Sequence, residues 1–265
     1  RLLQATPVGL DQVEGPEDVI IDRPDRVYGS TRDGNIIRFS GPDLREREVF
    51  AHIGGRPLGM QFDKDENLIV AVAGMGVYGV RPDRSIFKVT DETNRTWYKL
   101  NDDSRLRMAD DLDIAPDGKI YFSDCTTRYE MTTNTLDILE ARPNGRLVCY
   151  DPATGKTSTV INHFYFPNGI CVSHDGRSVL IASTSDQRSR ASDRCVSGSS
   201  RASATIASVT SSCVDRKSAR SCCVRCLVVT SVGGRRADDV GVASVASRTS
   251  PASPAAAAAW VSVRT

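Results

Sequence analysis

No run of about 18 consecutive apolar residues occurs in the 265-residue chain, so no membrane-spanning helix is expected. There is no G-x-S-x-G nucleophile elbow, no P-loop and no G-x-G-x-x-G after a strand, which excludes the hydrolase, nucleotide triphosphatase and dinucleotide-binding classes built on those loops. Gly74 and Gly76 lie between apolar runs and suit a turn. The chain opens on Arg1 and has no secretory apolar core, so it is expected to be a fragment that has lost any targeting signal, and a cytoplasmic location is favoured.

Scarcity is sharpest in the C-terminal segment 187–265. It contains no Phe, Tyr, Met, Asn, His or Glu, and well over half of it is Ser, Ala, Val or Arg. That segment is basic on balance, whereas the chain before it is acidic, so the two are not expected to share one core. The tail is open to three readings: a disordered Ser/Ala/Arg-rich segment, a phosphate-binding arm, or a GC-rich coding sequence read out of frame. The near absence of aromatics disfavours nucleic acid as a partner, and the frame-shifted reading is preferred. The cluster Cys222-Cys223-Val224-Arg225-Cys226 lacks a second cysteine pair and a nearby histidine, so it does not form a zinc motif. Cys125, Cys149 and Cys171 have no regular spacing and read as small core residues.

The front of the chain repeats a pattern. "GPEDVIIDRPDRVYGST" (15–31), "RPLGMQFDKDENLIVAV" (56–72), "MADDLDIAPDGKIYFSD" (108–124) and "FPNGICVSHDGRSVLIAS" (166–183) each join two alternating apolar runs through a polar turn. The Asp-Gly pairs at 117–118 and 175–176 predict two-residue hairpin turns. Pro16, Pro57, Asp110 and Pro167 align as the starts of four successive copies. The first three repeats hold two more strand candidates each: 35–40 and 47–51, 76–80 and 85–90, 146–151 and 156–161. Four short strands in a unit of this size are the signature of a propeller blade. The expected fold is all-β, with about four recognisable blades over 1–185 and an irregular tail over 186–265. An insertion at 125–145 is expected to form a short helix or a flap at the channel mouth.

The first strand of each blade lines a propeller's channel, so polar residues at the starts of these strands converge there. Glu17, Asp18, Asp110, Asp111 and Asn168 occupy those places. Glu17, Asp110 and Asn168 make an all-oxygen set that suits a hard divalent cation such as Ca²⁺. The competing reading is that Asp and Asn simply favour turns and strand ends. Glu130 and Glu140 of the insertion, with His163 and His174, are weaker candidates and read first as surface residues.

These motifs in order, with "NGRLVCYDPATGKTSTVI" (144–161), resemble the strictosidine synthase-like branch of the superfamily that also holds gluconolactonase, regucalcin and paraoxonase. The resemblance covers roughly 15–185. It implies a six-bladed propeller with a channel Ca²⁺ held by Glu17, Asp110 and Asn168. It also implies hydrolysis of a small-molecule lactone or ester, with Asp111 as the water-activating base. Asp110 stands where the family usually has Asn, Leu58 where paraoxonases have a catalytic His, and no later-blade Asp-Asn pair follows. The alternative expectation is a non-catalytic or vestigial ligand-binding propeller.

Overall fold

The computed structural model describes residues 8–9 and 11–184, together with the backbone of three short strands at 205–206, 228–231 and 258–262. Three four-stranded antiparallel sheets follow one another as meanders. The first holds β1 (Val19–Ile21), β2 (Val27–Ser30), β3 (Asn35–Ser40) and β4 (Glu46–His52). The second holds β5 (Arg56–Phe62), β6 (Leu68–Ala73), β7 (Gly76–Val80) and β8 (Ile86–Thr90). The third holds β9 (Ala109–Ile114), β10 (Ile120–Asp124), β11 (Gly145–Asp151) and β12 (Lys156–Phe164). A fourth sheet begins with β13 (Pro167–Val172) and β14 (Val179–Ser183). It continues with β15 (Thr205–Ile206), β16 (Val228–Ser231) and β17 (Ala258–Ser262) in the order β13-β14-β17-β16-β15, where β16 and β17 pair in parallel. That order departs from the meander of the first three sheets. Otherwise the readings of 186–265, and those of the cysteines within it, lie outside the described residues.

Successive side chains of a strand point to opposite faces, and this period stacks the sheets. Every residue of β6 is buried. Leu68, Val70 and Val72 pack with Ile20, Tyr28, Ile36 and Phe50 of the first sheet, while Ile69 and Ala71 pack with Leu112, Phe122 and Val148 of the third. Tyr121, Leu147 and Cys149 on the other face of the third sheet meet Ile170, Val179 and Ile181. The first strands are also neighbours in series, β1 beside β5, β5 beside β9 and β9 beside β13. Sheets stacked face to face with their first strands adjoining are propeller blades around an axis. Three complete blades and the inner strand pair of a fourth are thus described. Cys125, Cys149 and Cys171 are free thiols, two of them buried, as expected of small core residues.

The turns differ from the two-residue expectation. Ala115 N–H donates to Lys119 O, and Gly118 N–H donates back to Ala115 O, both at 2.8 Å, leaving a three-residue loop. Gly118 has φ +86°, the left-handed residue that ends a type I turn in such loops. Asp22–Arg26 and Asp63–Asn67 repeat the same pair of bonds with Asp25 and Glu66 at positive φ. The fourth hairpin is longer, with Ser173 N–H donating to Ser178 O. The insertion contains α1 (Asn134–Glu140), which ends on Ala141 in the left-handed conformation.

Candidate functional site

Each of the inner strands β5, β9 and β13 begins with the same irregularity. Pro57 pairs with Val72 and Met60 with Val70, so three steps on β5 oppose two on β6. Ala109 and Leu112 oppose Asp124 and Phe122 in the same way, and Pro167 and Ile170 oppose Ser183 and Ile181. These are β-bulges, which re-aim the residues they contain. The bulged pairs are Leu58-Gly59, Asp110-Asp111 and Asn168-Gly169. The structural equivalent of Pro57 and Pro167 is therefore Ala109, not Asp110. The third copy thus starts one step earlier than the sequence alignment places it.

The second bulge residue, with Asp18 at the corresponding step just ahead of β1, alternates between aspartate and glycine, and the cross-strand neighbour alternates with it. Asp18 N–H donates to Ser30 Oγ at 3.3 Å and Asp111 N–H to Ser123 Oγ at 3.1 Å. In the blade of Gly59 the same place holds Ala71. In both aspartate blades one carboxylate oxygen accepts the next backbone N–H, from Val19 or Leu112, at 2.8 and 2.9 Å. The other oxygen crosses to the following blade. Asp18 Oδ2 accepts Met60 N–H and Asp111 Oδ2 accepts Ile170 N–H, each at 2.9 Å. Met60 and Ile170 are the residues after Gly59 and Gly169. Asp113 adds a further tie, accepting Val172 N–H at 2.7 Å and Gln61 Nε2 at 3.1 Å, so that three inner strands meet at one carboxyl that burial pushes up. Asp18 was legible as a channel candidate but not as a cross-blade tie, and nothing in the sequence singled out Asp113.

Two of the expected ligands, Asp110 and Asn168, occupy the first bulge position. Asp110 is buried in β9, and Asn168 lies in the adjoining β13. Glu17 stands two residues ahead of β1, with the buried Leu58 at the corresponding step of the second blade. Asn168 is held through its carbonyl, which accepts Ser123 Oγ at 2.7 Å. Cys125, read from sequence only as a core residue, places its thiol against both Asp110 Oδ2 and Pro167 O. Burial first, then the Asp110 carboxylate, push that thiol well above its ordinary range, so it is a neutral donor. Two carboxylates and an amide oxygen suit a hard cation. Among the described residues no three His, Cys, Asp or Glu side chains group as a metal site, and this trio contains only two of those types.

The remaining candidates are engaged elsewhere. Glu130 pairs with Arg105 and Arg107, and Glu140 accepts from Tyr129 Oη and Asn144 Nδ2, each at 3.1 Å. His174 is exposed in the last hairpin, and His163 lies in β12 at φ +73°. Beneath the bulge of β9, Arg146 donates Nε to Asp124 Oδ2 at 2.8 Å, with both side chains almost fully buried. Asp124 Oδ1 accepts Met108 N–H at 2.8 Å and fixes the start of β9. Among the described residues no helix is long and apolar enough to cross a membrane.

Comparison with known proteins agrees with this geometry. Residues 110–192 match the strictosidine synthase family, and residues 1–39 match the family described as strictosidine synthase-like, N-terminal. Protein STRICTOSIDINE SYNTHASE-LIKE 3 of Arabidopsis thaliana is 31% identical over 199 residues, covering 66% of this chain and 49% of that protein. The adipocyte plasma membrane-associated protein of Salmo salar is 31% identical over 207 residues, covering 72% of this chain and 47% of that protein. The chain spans about half the length of these curated relatives. A solved structure described as a putative gluconolactonase superposes with a TM-score of 0.50 at 20% identity, covering 83% of this chain and 62% of that one, a likeness of fold. By its repeated bulged blades and by these matches, the chain belongs to the strictosidine synthase-like family and has the β-propeller fold.

Proposed function

We propose that the propeller to which these blades belong is a Ca²⁺-dependent hydrolase of small lactones or esters, with Glu17, Asp110 and Asn168 as the ion's protein ligands. The observation that carries this reading is the buried Asp110 beside Asn168 on adjoining bulges of β9 and β13. Calcium bound there would supply a Lewis acid for the substrate carbonyl. The chain's own residues hold the frame. Ser123 fixes the Asn168 carbonyl, and the Cys125 thiol spans Asp110 and the Pro167 carbonyl. Asp111, the base expected from sequence, has one oxygen on Leu112 N–H and the other on Ile170 N–H. Those bonds suit it to clamping β13, and with it Asn168, more than to accepting a proton from water.

The same engagement of Asp111 favours a second reading, a propeller that binds ligand without turnover. Calcium-stimulated hydrolysis of simple lactones, lost in Asn168→Ala, is the expected result for the enzyme. Calcium binding by calorimetry with no hydrolysis would establish the second reading, and hydrolysis unaffected by chelator or by Asn168→Ala would remove the metal assignment.

A further inference from the structure

The connection between β8 and β9 carries a group of side chains that the bulge site does not use. Lys99 N–H donates to Thr96 O at 3.1 Å, closing a turn with Trp97 and Tyr98 at its apex. Their rings meet edge to face at 5.5 Å. Trp97 is 89% and Leu100 98% exposed, and Tyr98 is exposed with them. The turn is anchored. Buried Asp103 accepts Thr96 N–H at 2.8 Å, Thr96 Oγ1 at 2.7 Å and Lys99 Nζ at 2.9 Å. Arg95 Nη2 donates to Leu100 O at 3.3 Å. Behind the turn, Asp103 O accepts Arg146 Nη1 at 2.6 Å, which ties the loop to the buried Arg146–Asp124 pair.

A second connection adds to the same end of the molecule. The 125–144 segment leaves β10 where Asp124 pairs with Ala109, and its α1 exposes Leu136 and Leu139. Glu130 joins the two connections by pairing with Arg105 and Arg107. Single exposed apolar residues are ordinary, but a hydrogen-bonded turn that holds tryptophan, tyrosine and leucine in water is not. Residues 94–101 carry the exposed Arg95 and Lys99, which pairs with Asp103; Asp102 and Asp103 follow directly. Amphipathic aromatics with flanking cations match the headgroup boundary of a bilayer, where rings bury their apolar body and cations meet phosphate. The geometry points to this turn as a bilayer-docking tip, with Trp97, Tyr98 and Leu100 inserting and the exposed Arg95 facing lipid phosphates.

The test uses the full chain carrying Trp260→Phe, so that Trp97 is its one indole. Vesicles of phosphatidylcholine with a minority of phosphatidylserine are expected to shift Trp97 emission to the blue and to co-sediment the protein. Trp97→Ser with Leu100→Ser is expected to lower the vesicle-bound fraction about tenfold or more, since a buried side chain of this size is worth more than one decade in affinity. Both sites are solvent-exposed, so the melt of the double variant should match its parent. Arg95→Glu, which keeps the apolar side chains, is expected to weaken binding to these vesicles and not to vesicles of phosphatidylcholine alone. Unshifted emission, or equal binding by the double variant, overturns the proposal. So does self-association of the parent without vesicles that the double variant loses, because the occupant is then a second copy of the chain.

Discussion

Gly59→Ala probes the packing of inner strands most directly. A Cβ at Gly59 would stand 2.3 Å from Asp111 Oδ1, 2.7 Å from Asp111 Cα and 2.9 Å from Asp110 O. Two of those atoms are backbone and cannot swing away. Gly59 is not at positive φ, so alanine could adopt its conformation and the whole cost is collision. Forcing a methyl into a packed interface costs about 1–3 kcal/mol, and displacing Asp111 from Ile170 N–H adds about 1.5–3 kcal/mol for a charged hydrogen bond. A loss of roughly 2.5–6 kcal/mol is a large share of the ~5–15 kcal/mol that holds a domain folded. At about 2–4 °C per kcal/mol for a chain of this size, the melting temperature should fall by at least about 5 °C. Gly29→Ala is the control, because its Cβ would meet nothing nearer than Asp18 O at 3.9 Å. Circular dichroism melts of the two variants give the answer. Equal melting temperatures would show that the second and third blades do not approach as closely as described here, and the cross-blade role of Asp111 would fall with it.

Arg146→Met leaves the Asp124 carboxylate buried without its ion pair and should cost about 3–5 kcal/mol in urea unfolding. Asp124→Leu combined with Arg146→Met should recover much of that loss, and a double variant worse than the single would refute the pairing argument. Burial opposes the charge on Asp103, but Lys99 and Thr96 outweigh it and hold the carboxyl down at about 2. A depressed carboxyl stabilises the fold above its unfolded pKa of about 3.9 and loses that contribution as pH falls through the folded value. Unfolding midpoints should therefore drop between about pH 4 and pH 2, and Asp103→Asn should flatten that part of the profile. Calcium at a hundredfold excess over its Kd should raise stability by about 2.7 kcal/mol, with the gain absent in Asn168→Ala. A melt identical in calcium and in chelator would count against the ion.

The hydrophobic period of two by itself determined the strands. 35–40 and 76–80 are β3 and β7 to the residue, and 134–140 folds as the helix expected within the insertion. Repetition at blade-sized spacing was likewise enough to give the propeller, although the third copy starts at Ala109, one residue before the alignment placed it. The tertiary structure decided what the second residue of each bulge does. In the chain Asp18 and Asp111 read as channel-lining carboxylates, and nothing there shows that they bind the next blade. Their partners, Met60 for Asp18 and Ile170 for Asp111, lie in the next blade, far along the chain. Cys125 is legible as apolar, yet its contact with Asp110 exists only because β9 and β10 pair out of step around the bulge. A local pattern encodes which face of a strand is buried. Which residues meet across two stacked sheets depends on register and bulges, and those are set when the blades close on one another.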